Sequence, residues 1–381
     1  MPIECLGYMN IFRIFNQGDH SRKKVAFQAF NMQIAQVFRP IIRNLKKNKD
    51  IDIYFLVMFH PYAGFKGLKD TKQYARQVLK IESNKIRYIW QAYWTKFDCL
   101  ICSDVYTKFP IRPTDKIIIP HGPGLMTRWV KAHRLRKTVF DFDRYFLCGE
   151  FDRIQIKDYI KHRPQLKVVG FPFLDSLAVK EREPQKEELF QRSHRKSVLY
   201  APGWGHGYRY GDMLSINIQQ VISCLLDKKI NIILKLHAAS YVKAQAKGIS
   251  WKKRLEKYRQ YDKIHVVFDL DDRPYFKMAD ILVTDYSSRS FSFMITGRPV
   301  IIYGIPQNFT QTRVEKLRLE KICEAAHVAL NVEELSEALD RCLYHPEAMS
   351  LERKRVVKEV FANLGSATSE MVKSIEERTG C

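Results

Sequence analysis

The sequence lacks long apolar runs and has no signal-like amino terminus. Its longer apolar stretches, such as residues 53–59, are far shorter than the roughly 20 residues that cross a bilayer. Glu4 stands where a secretory signal carries a basic side chain, and no long apolar core follows it. We therefore expect no transmembrane helix and no signal peptide, so that any membrane contact is peripheral.

Paired metal-binding motifs are also missing. Of the eight scattered cysteines, Cys99 and Cys102 have CxxC spacing, but they lie in an apolar run typical of a buried strand. No second CxxC accompanies them, which argues against a zinc or redox site. Asp269, Asp271 and Asp272 are assigned to a surface turn. We expect reduced cysteines in a cytoplasmic protein, with no metal and no cofactor.

Acidic residues are scarce in the first part of the chain. Residues 1–175 hold 31 of the 64 Lys and Arg but only 15 of the 41 Asp and Glu, and the whole chain has a net charge of +23. Such a field attracts nucleic acid, lipid head groups or a polyphosphate, unless it is only a solvated basic surface. No RNA- or DNA-binding motif is present, so nucleic-acid binding is the weaker alternative.

Apolar runs alternate with amphipathic stretches along most of the 381 residues. Continuous apolar strands between helices indicate parallel sheets that are covered on both faces. The charged segment 176–197 interrupts the alternation and is the expected linker. We predict an α/β protein with two doubly wound, Rossmann-like domains, 1–175 and 198–381, which face each other across a cleft. Strands are predicted at 24–30, 52–59, 99–104, 116–122, 144–150, 166–172, 198–203, 231–237, 264–269, 280–285 and 299–304, and helices at 32–48, 214–228, 286–296 and in the tail 332–379.

Hydroxyls and a carboxylate cluster where a predicted strand meets a helix, at residues 284–288. The first turn of a helix offers unpaired backbone N–H groups, and Ser287 and Ser288 add hydroxyl donors there. Capping is the alternative, but one residue is enough for a cap. Because Thr284 and Asp285 stand beside the two serines, we favour an anion site over a simple cap.

Other predicted strands end in residues with similar potential. His121 and Gly122 follow one strand, and Lys235 and His237 close another. A histidine on a rigid turn suits a general base, although a satisfied core histidine is the alternative. A glycine-rich loop with Gly203 and Trp204 follows a third strand. Ligands bind beyond the carboxyl ends of parallel strands, so we expect these residues to meet in the cleft.

In sequence order, these segments resemble the CDP-glycerol glycerophosphotransferase family of teichoic acid primases and polymerases. The matching stretches are PHGPGLM, VLYAPGWGHGYR, KLHAAS, ADILVTDYSSRSFSFMITGRPVIIY and NLGSATSEM, and they cover about residues 20 to 378. The TDYSS segment is the most specific of them.

The resemblance implies a GT-B fold and transfer of a polyol phosphate from a CDP-activated donor to a hydroxyl of a lipid-linked or glycan acceptor, with release of CMP. It implies an acceptor- and membrane-side first domain and a donor-binding second domain. A GT-B glycosyltransferase that uses a nucleotide sugar is the alternative. By position, the resemblance implies His121 and His237 as catalytic residues, and donor binding by Gly203, Trp204, Lys235, Thr284, Asp285, Ser287 and Ser288.

Residues 84–98 combine aromatic and basic side chains. On a helix, the aromatic residues would form one stripe, which either packs in the core or lies in lipid head groups. Because lysines and arginines flank the stripe, we expect a peripheral attachment to an anionic membrane at the cytoplasmic face. The acceptor and membrane side is assigned to Gly122, Lys85, Arg87, Trp90, Trp94 and Arg128.

Overall fold

The computed structural model describes most of the chain between residues 22 and 379. The described ranges are 22–60, 64–104, 115–124, 142–157, 165–179, 186–203, 211–241, 249–304 and 313–379, with backbone alone at 64, 211–217 and 378. The predicted site residues Trp204 and Arg128 lie outside these ranges. No helix in the described part is long and apolar enough to cross a membrane.

Seven parallel strands from the first part of the chain form one sheet, in the order β3-β2-β1-β4-β5-β6-β7. All seven residues of β2 are buried, as expected for a strand that is covered on both faces. The strands are β1 (Lys23–Ala29), β2 (Ile51–Val57), β3 (Ile86–Tyr88), β4 (Cys99–Cys102), β5 (Asp115–Ile118), β6 (Arg144–Leu147) and β7 (Gln165–Val168).

Six further parallel strands form a second sheet, in the order β10-β9-β8-β11-β12-β13. In each sheet, the first strand along the chain lies in the middle, and later strands are added first on one side of it and then on the other. The change of side occurs between β1 and β4 in the first sheet and between β8 and β11 in the second. In such folds ligands bind at this switch point. The strands are β8 (Ser197–Tyr200), β9 (Asn231–Lys235), β10 (Ile264–Val267), β11 (Ile281–Thr284), β12 (Val300–Tyr303) and β13 (His327–Ala329).

Helices cover the faces of the sheets. The predicted helix 32–48 is two helices, because Pro40 lacks a backbone N–H and starts a new first turn. The helices are α1 (Met32–Val37), α2 (Arg39–Leu45), α3 (Gly64–Gln77), α4 (Glu150–Ile156), α5 (Asp175–Ala178), α6 (Gly211–Leu226), α7 (Trp251–Glu256), α8 (Arg273–Met278), α9 (Arg289–Met294), α10 (Arg313–Cys323), α11 (Val332–Tyr344), α12 (Ser350–Val360) and α13 (Ala367–Thr379).

After the second sheet, the chain returns to the first. Helix α13 packs against α2, and the backbone N–H of Ala362 donates to the carbonyl of Cys148 at the end of β6. Asp175 accepts from the backbone N–H groups of Ala367 and Thr368, at 3.2 and 2.8 Å, and so satisfies donors in the first turn of α13. This carboxylate ties the end of the chain to the segment that follows the first sheet.

The predicted fold class is confirmed, and all eleven predicted strands are present, most of them shortened at their carboxyl ends. Two strands were missed, β3 and β13, each with three residues at a sheet edge. The helix on which the aromatic residues of 84–98 would form one stripe is not present. Residues 86–88 pair with residues 55–57 of β2, and short 3-10 turns flank them at Ser83–Lys85 and Ile89–Ala92. Edge pairing therefore outweighed the helical spacing of the aromatic residues.

Candidate functional site

Three of the predicted site segments meet at the carboxyl edge of the second sheet. Strand β8 lies between β9 and β11, so the segments that leave these strands are neighbours at the switch point. They are residues 201–203, 235–237 and 284–288. The grouping that the sequence predicted for the second sheet is therefore present in the fold.

His121 lies directly beyond the carboxyl end of β5, on a turn that is half-buried. Its Nδ1 is 3.0 Å from the carbonyl oxygen of Ser103, which follows the neighbouring strand β4. A carbonyl can only accept, so Nδ1 carries the proton and donates. The neutral ring then carries its lone pair on Nε2, which is the arrangement that a general base needs.

His237 has the opposite tautomer. Its Nδ1 accepts from the backbone N–H of Ala239 at 3.1 Å, inside a short 3-10 turn at Ala238–Tyr241. The neutral ring therefore carries its proton on Nε2, which can donate to an anionic oxygen. One histidine is thus arranged to take a proton and the other to give a hydrogen bond.

Thr284 and Asp285 are directed into the protein. The Thr284 hydroxyl donates to the carbonyl of Ala201 at 2.7 Å, and the Asp285 carboxylate accepts from the backbone N–H of Gly203 and of Ser287, at 2.9 and 3.1 Å. Burial raises the pKa of the Asp285 carboxyl, although these backbone hydrogen bonds lower it. Both side chains therefore join the segment that follows β8 to the segment that follows β11. This role requires no direct bond to a ligand.

The two serines differ from these neighbours and from each other. The Ser287 hydroxyl lies 3.2 Å from that of Thr284. Ser288 is the residue that precedes α9, and its side chain makes no capping hydrogen bond. The helix starts at Arg289, three residues later than predicted, because Asp285 closes a turn on Ser287 first. Within the motif, Asp285 therefore supplies the local turn, and Ser288 does not cap the helix.

Gly203 is required by the close approach of the two segments. A Cβ at this position would lie 2.7 Å from Oδ1 of Asp285 and 3.0 Å from Cβ of Ser287. These contacts are too short for any other residue unless the backbone moves. The first glycine of the predicted glycine-rich loop is therefore needed for packing against Asp285 and Ser287.

A buried ion network, which the sequence did not predict, supports this edge. The Asp272 carboxylate lies 3.1 Å from Nζ of Lys235 and 2.9 Å from Nε of Arg289. Lys235 also donates to the carbonyl of Asp269, and Nη1 of Arg289 donates to the carbonyl of Pro202 at 3.1 Å. One carboxylate thus joins segments that follow β8, β9, β10 and β11.

The charges of this network hold one another in the ionised state. Burial lowers the pKa of Lys235, and Asp272 opposes that change. Burial also raises the pKa of the Asp272 carboxyl, but the charges of Arg289 and Lys235 outweigh it and hold this pKa well below its usual range. The assignment of Asp272 to a solvated surface turn is therefore wrong, because only 21% of its side chain is exposed. Lys235 is 2% exposed, and its charge is neutralised by this pair.

The two sheets contact each other beside His121. Gly124, on the same turn, has a φ of +65°, and a Cβ there would lie 2.9 Å from the ring of Phe291 in α9. Phe291 also packs edge-on against Phe151 of α4, with ring centroids 5.9 Å apart. The turn that carries His121 is therefore adjacent to the helix that follows Ser288.

Asp152 holds that turn from below. Its carboxylate is fully buried and accepts from the backbone N–H of Gly124 at 3.0 Å and of Cys148 at 2.9 Å. Burial raises the pKa of the Asp152 carboxyl to about 6, although the two backbone hydrogen bonds lower it. No pattern in the sequence indicates this role, since Asp152 lies on α4 and not at a strand end.

Four of the residues assigned to the acceptor and membrane side lie along the β3 edge of the first sheet: Lys85, Arg87, Trp90 and Trp94. Gly122 is buried beside His121. Lys85 forms an ion pair with Asp52 at 3.0 Å, and the guanidinium of Arg87 lies 5.3 Å from the ring centroid of Tyr54. The aromatic residues divide: Phe97 is buried, whereas Trp90 and Trp94 are 58% and 67% exposed. Core packing therefore does not explain these two tryptophans.

No group of metal-binding side chains occurs among the described residues. Cys99 and Cys102 are both buried in β4 as unlinked thiols, and burial raises the pKa of Cys99 well above its usual value.

Residues 149–377 match the sequence profile described as CDP-Glycerol:Poly(glycerophosphate) glycerophosphotransferase, which is more than half of the chain. The chain belongs to this family. The match includes the glycine-rich loop, both segments that carry His237 and Ser288, and the three C-terminal helices.

Two curated members of the glycerophosphotransferase family show similar stretches. A teichoic acid poly(glycerol phosphate) polymerase from Bacillus spizizenii is 26% identical over 271 residues, which is 63% of this chain and 64% of the polymerase. A teichoic acid glycerol-phosphate primase from Bacillus subtilis is 27% identical over 173 residues, 45% of this chain and 42% of the primase. The chain thus spans less than two thirds of the length of either relative.

Solved structures share the fold of this chain. The wall teichoic acid polymerase TagF matches with a TM-score of 0.64 and 15% identity, over 94% of this chain and 89% of that chain. S. aureus MnaA, solved with UDP, matches with a TM-score of 0.61 and 13% identity, over 94% and 97%. Both likenesses support the prediction of two facing α/β domains.

The network around Asp272 leads to a first prediction. Asp272→Asn should lower the free energy of unfolding by about 3–5 kcal/mol, because it leaves two buried cations without a counter-charge. Asp271→Asn is the matched control, since Asp271 forms an ion pair with the partly exposed Arg273 and its loss should cost about 1 kcal/mol or less. Urea denaturation measures both, and equal losses would contradict the central role of Asp272.

Asp152 leads to a prediction about pH. Its folded-state pKa of about 6 exceeds the ordinary value of 3.8 for an aspartate carboxyl, so the folded protein holds this proton more tightly than the unfolded chain does. The contribution of Asp152 to stability is therefore fully present below about pH 4 and is lost as the pH rises through 6, by about 3 kcal/mol in total. Asp152→Asn does not titrate, so its unfolding free energy should rise relative to the unaltered protein between pH 4 and pH 7. A difference that stays constant over this range would argue against a raised pKa.

Proposed function

We propose that the protein transfers a polyol phosphate, glycerol phosphate or ribitol phosphate, from a CDP-activated donor to a hydroxyl of a lipid-linked or glycan acceptor, and releases CMP. This reaction would extend a cell-wall or capsular polymer. The membership of the family supports the reaction class. The observation that carries the proposal is the bond between Nδ1 of His121 and the Ser103 carbonyl, because it places the basic nitrogen at Nε2.

In the proposed reaction, Nε2 of His121 accepts the proton of the acceptor hydroxyl. The hydroxyl oxygen forms a bond to the phosphorus that carries the polyol, and the bond between this phosphorus and the CMP oxygen breaks. CMP leaves with the electron pair and the negative charge. Removing the proton in the transition state contributes roughly a hundred- to ten-thousandfold in rate.

The second domain, residues 198–381, is the proposed donor side. Nε2–H of His237 and the hydroxyl of Ser288 are the donors that we assign to the phosphates, and the backbone around Gly203 lets the ligand approach closely. Such oriented donors stabilise the charge that develops on the leaving group without a metal. Lys235 supports this side through Asp272, and Thr284 and Asp285 through the segments that they join.

Residues 1–175 are the proposed acceptor side, which attaches to an anionic membrane surface. Trp90, Tyr93 and Trp94 are exposed, Phe65 of α3 is 76% exposed, and exposed basic residues of α3 lie close by. Tryptophan and tyrosine beside lysine and arginine are typical of a surface that lies in lipid head groups. Trp90 follows β3 and His121 follows β5, so both residues lie beyond the carboxyl ends of strands in the first sheet. The two strands are four strand spacings apart, which is about 19 Å at the usual spacing. A lipid-linked acceptor held at the membrane would thus be within reach of His121.

Two variants should fail in different ways if this assignment is right. His121→Ala should lose turnover by roughly a hundred- to ten-thousandfold and keep its affinity for CDP-glycerol. The double variant Ser287→Ala with Ser288→Ala should instead lose affinity, by about 1.5–3 kcal/mol for each charge-assisted hydrogen bond that is removed. Calorimetry with CDP-glycerol and CDP-ribitol measures binding, and CMP release in the presence of a lipid-linked acceptor measures turnover.

Each outcome of this pair is informative. A His121→Ala enzyme with full turnover would remove His121 from the catalytic residues. Loss of donor affinity in that variant would reverse the roles of the two domains. Unchanged donor affinity in the serine variant would reduce the segment to a helix cap.

Membrane attachment is tested by co-sedimentation with vesicles. The protein should bind anionic but not neutral vesicles, and high salt should release it. Trp90→Ser with Trp94→Ser should weaken this binding roughly tenfold or more, since each buried tryptophan contributes at least as much as a buried aliphatic side chain. Tyr344→Ser with Leu351→Ser is the control, because these side chains are more exposed than the two tryptophans, at 78% and 73%, but lie on the second domain. No binding of folded protein to either kind of vesicle would end the proposal.

A further inference from the structure

Arg318 is a buried arginine beside the donor segment. It lies on α10 and is 5% exposed, and its guanidinium carbon is 5.7 Å from the ring centroid of Tyr286. Tyr286 directly precedes Ser287 and Ser288, so α10 presents a positive charge to the segment that we assign to the phosphates. The sequence analysis did not single out Arg318.

The guanidinium of Arg318 has fewer partners than its burial requires. Its Nε is buried and has no hydrogen-bond partner, and no carboxylate of the described residues forms an ion pair with it. Burial lowers the pKa of Arg318. The charges of Glu315 and Asp285 raise this pKa, but neither carboxylate forms an ion pair with the guanidinium. A buried charge without a partner is costly, so proteins pair such groups or use them to bind an opposite charge.

Another buried arginine shows what a structural guanidinium looks like in this protein. Arg353 is 1% exposed, and its three nitrogens donate to the carbonyls of Gly297, Ala348 and Pro346 at 2.9, 2.7 and 3.0 Å. Those bonds hold α12 against the end of α9. Arg318 has no comparable set of acceptors in the described part of the chain, which separates it from a side chain that serves packing alone.

We propose that Arg318 is a donor-binding residue that contacts a phosphate of the CDP-activated donor beside Tyr286 and Ser288. This inference rests on the function proposed above. A guanidinium presents its N–H groups in a planar fork that matches two phosphate oxygens, and it keeps its charge where a lysine could lose a proton. The phosphate would supply the counter-charge that the protein does not, so donor binding and the burial of Arg318 would stabilise each other.

The test compares Arg318→Met with Arg353→Met. Thermal unfolding measures the stability of each protein alone, and calorimetry measures affinity for CDP-glycerol and for inorganic pyrophosphate. Arg318→Met should keep or raise the unfolding temperature, since it removes an unpaired buried charge, and should bind both ligands roughly ten- to a hundredfold more weakly. Arg353→Met should lower the unfolding temperature. Arg318→Lys should retain part of the affinity, because it keeps the charge and the apolar stem but loses the fork.

The outcomes separate this inference from the proposed function. Unchanged affinity for CDP-glycerol in Arg318→Met, or a fall in unfolding temperature as large as that of Arg353→Met, would overturn the role of Arg318. If the Met variant does not fold, Arg318→Lys with full affinity for both ligands would overturn it as well. If the unaltered protein binds pyrophosphate through Arg318 but not CDP-glycerol, the phosphate site stands and the donor named above is wrong.

Discussion

The carboxylate of Asp272 is the interaction on which the second half of the site depends. It neutralises Lys235 and Arg289 together, and these side chains arise from segments that follow different strands. Parallel strands bring their carboxyl ends to one edge, but they do not set the relative heights of the loops beyond it. A buried ion pair sets these heights, because each charge tolerates little displacement from its partner in a medium that screens poorly.

The first half of the site is built by different means. Its turn depends on Asp152, whose carboxylate holds two backbone N–H groups and no cation, so its pKa is raised where that of Asp272 is lowered. The same turn reaches the second half through an apolar contact, between Gly124 and Phe291. The second half of the site thus keeps the charge of Asp272 in acid, whereas protonation of Asp152 stabilises the first half. Gly124, which has a positive φ, joins the two halves. His121 therefore lies on a rigid turn, beside the segment proposed to bind phosphate.

Much of the fold follows from local pattern, but several details of the site do not. The alternation of apolar runs predicted the two parallel sheets, and the resemblance of the motifs predicted the order of the segments. The helical spacing of the aromatic residues over 84–98 was misleading, because residues 86–88 gain more from pairing with β2 at the sheet edge. Thr284, Asp285, Ser287 and Ser288 look alike as potential ligands in the sequence. The fold turns the first two inward to Ala201 and Gly203 and leaves the Ser288 hydroxyl without a capping bond.

The sequence by itself determined eleven of the thirteen described strands, the strand-end positions of His121, His237 and Ser288, and the excess of basic charge in residues 1–175. These properties depend on neighbours in the chain, and hydrophobic periodicity and residue type report them directly. Only the tertiary structure decided which charges are paired. Arg318 and Arg353 are the same residue on similar charged helices, yet one meets three carbonyls and the other meets the ring of Tyr286. The difference arises from which carbonyls the fold brings to each side chain, such as that of Gly297 to Arg353. Burial makes such contacts decisive because an unpaired charge is costly only where water is excluded.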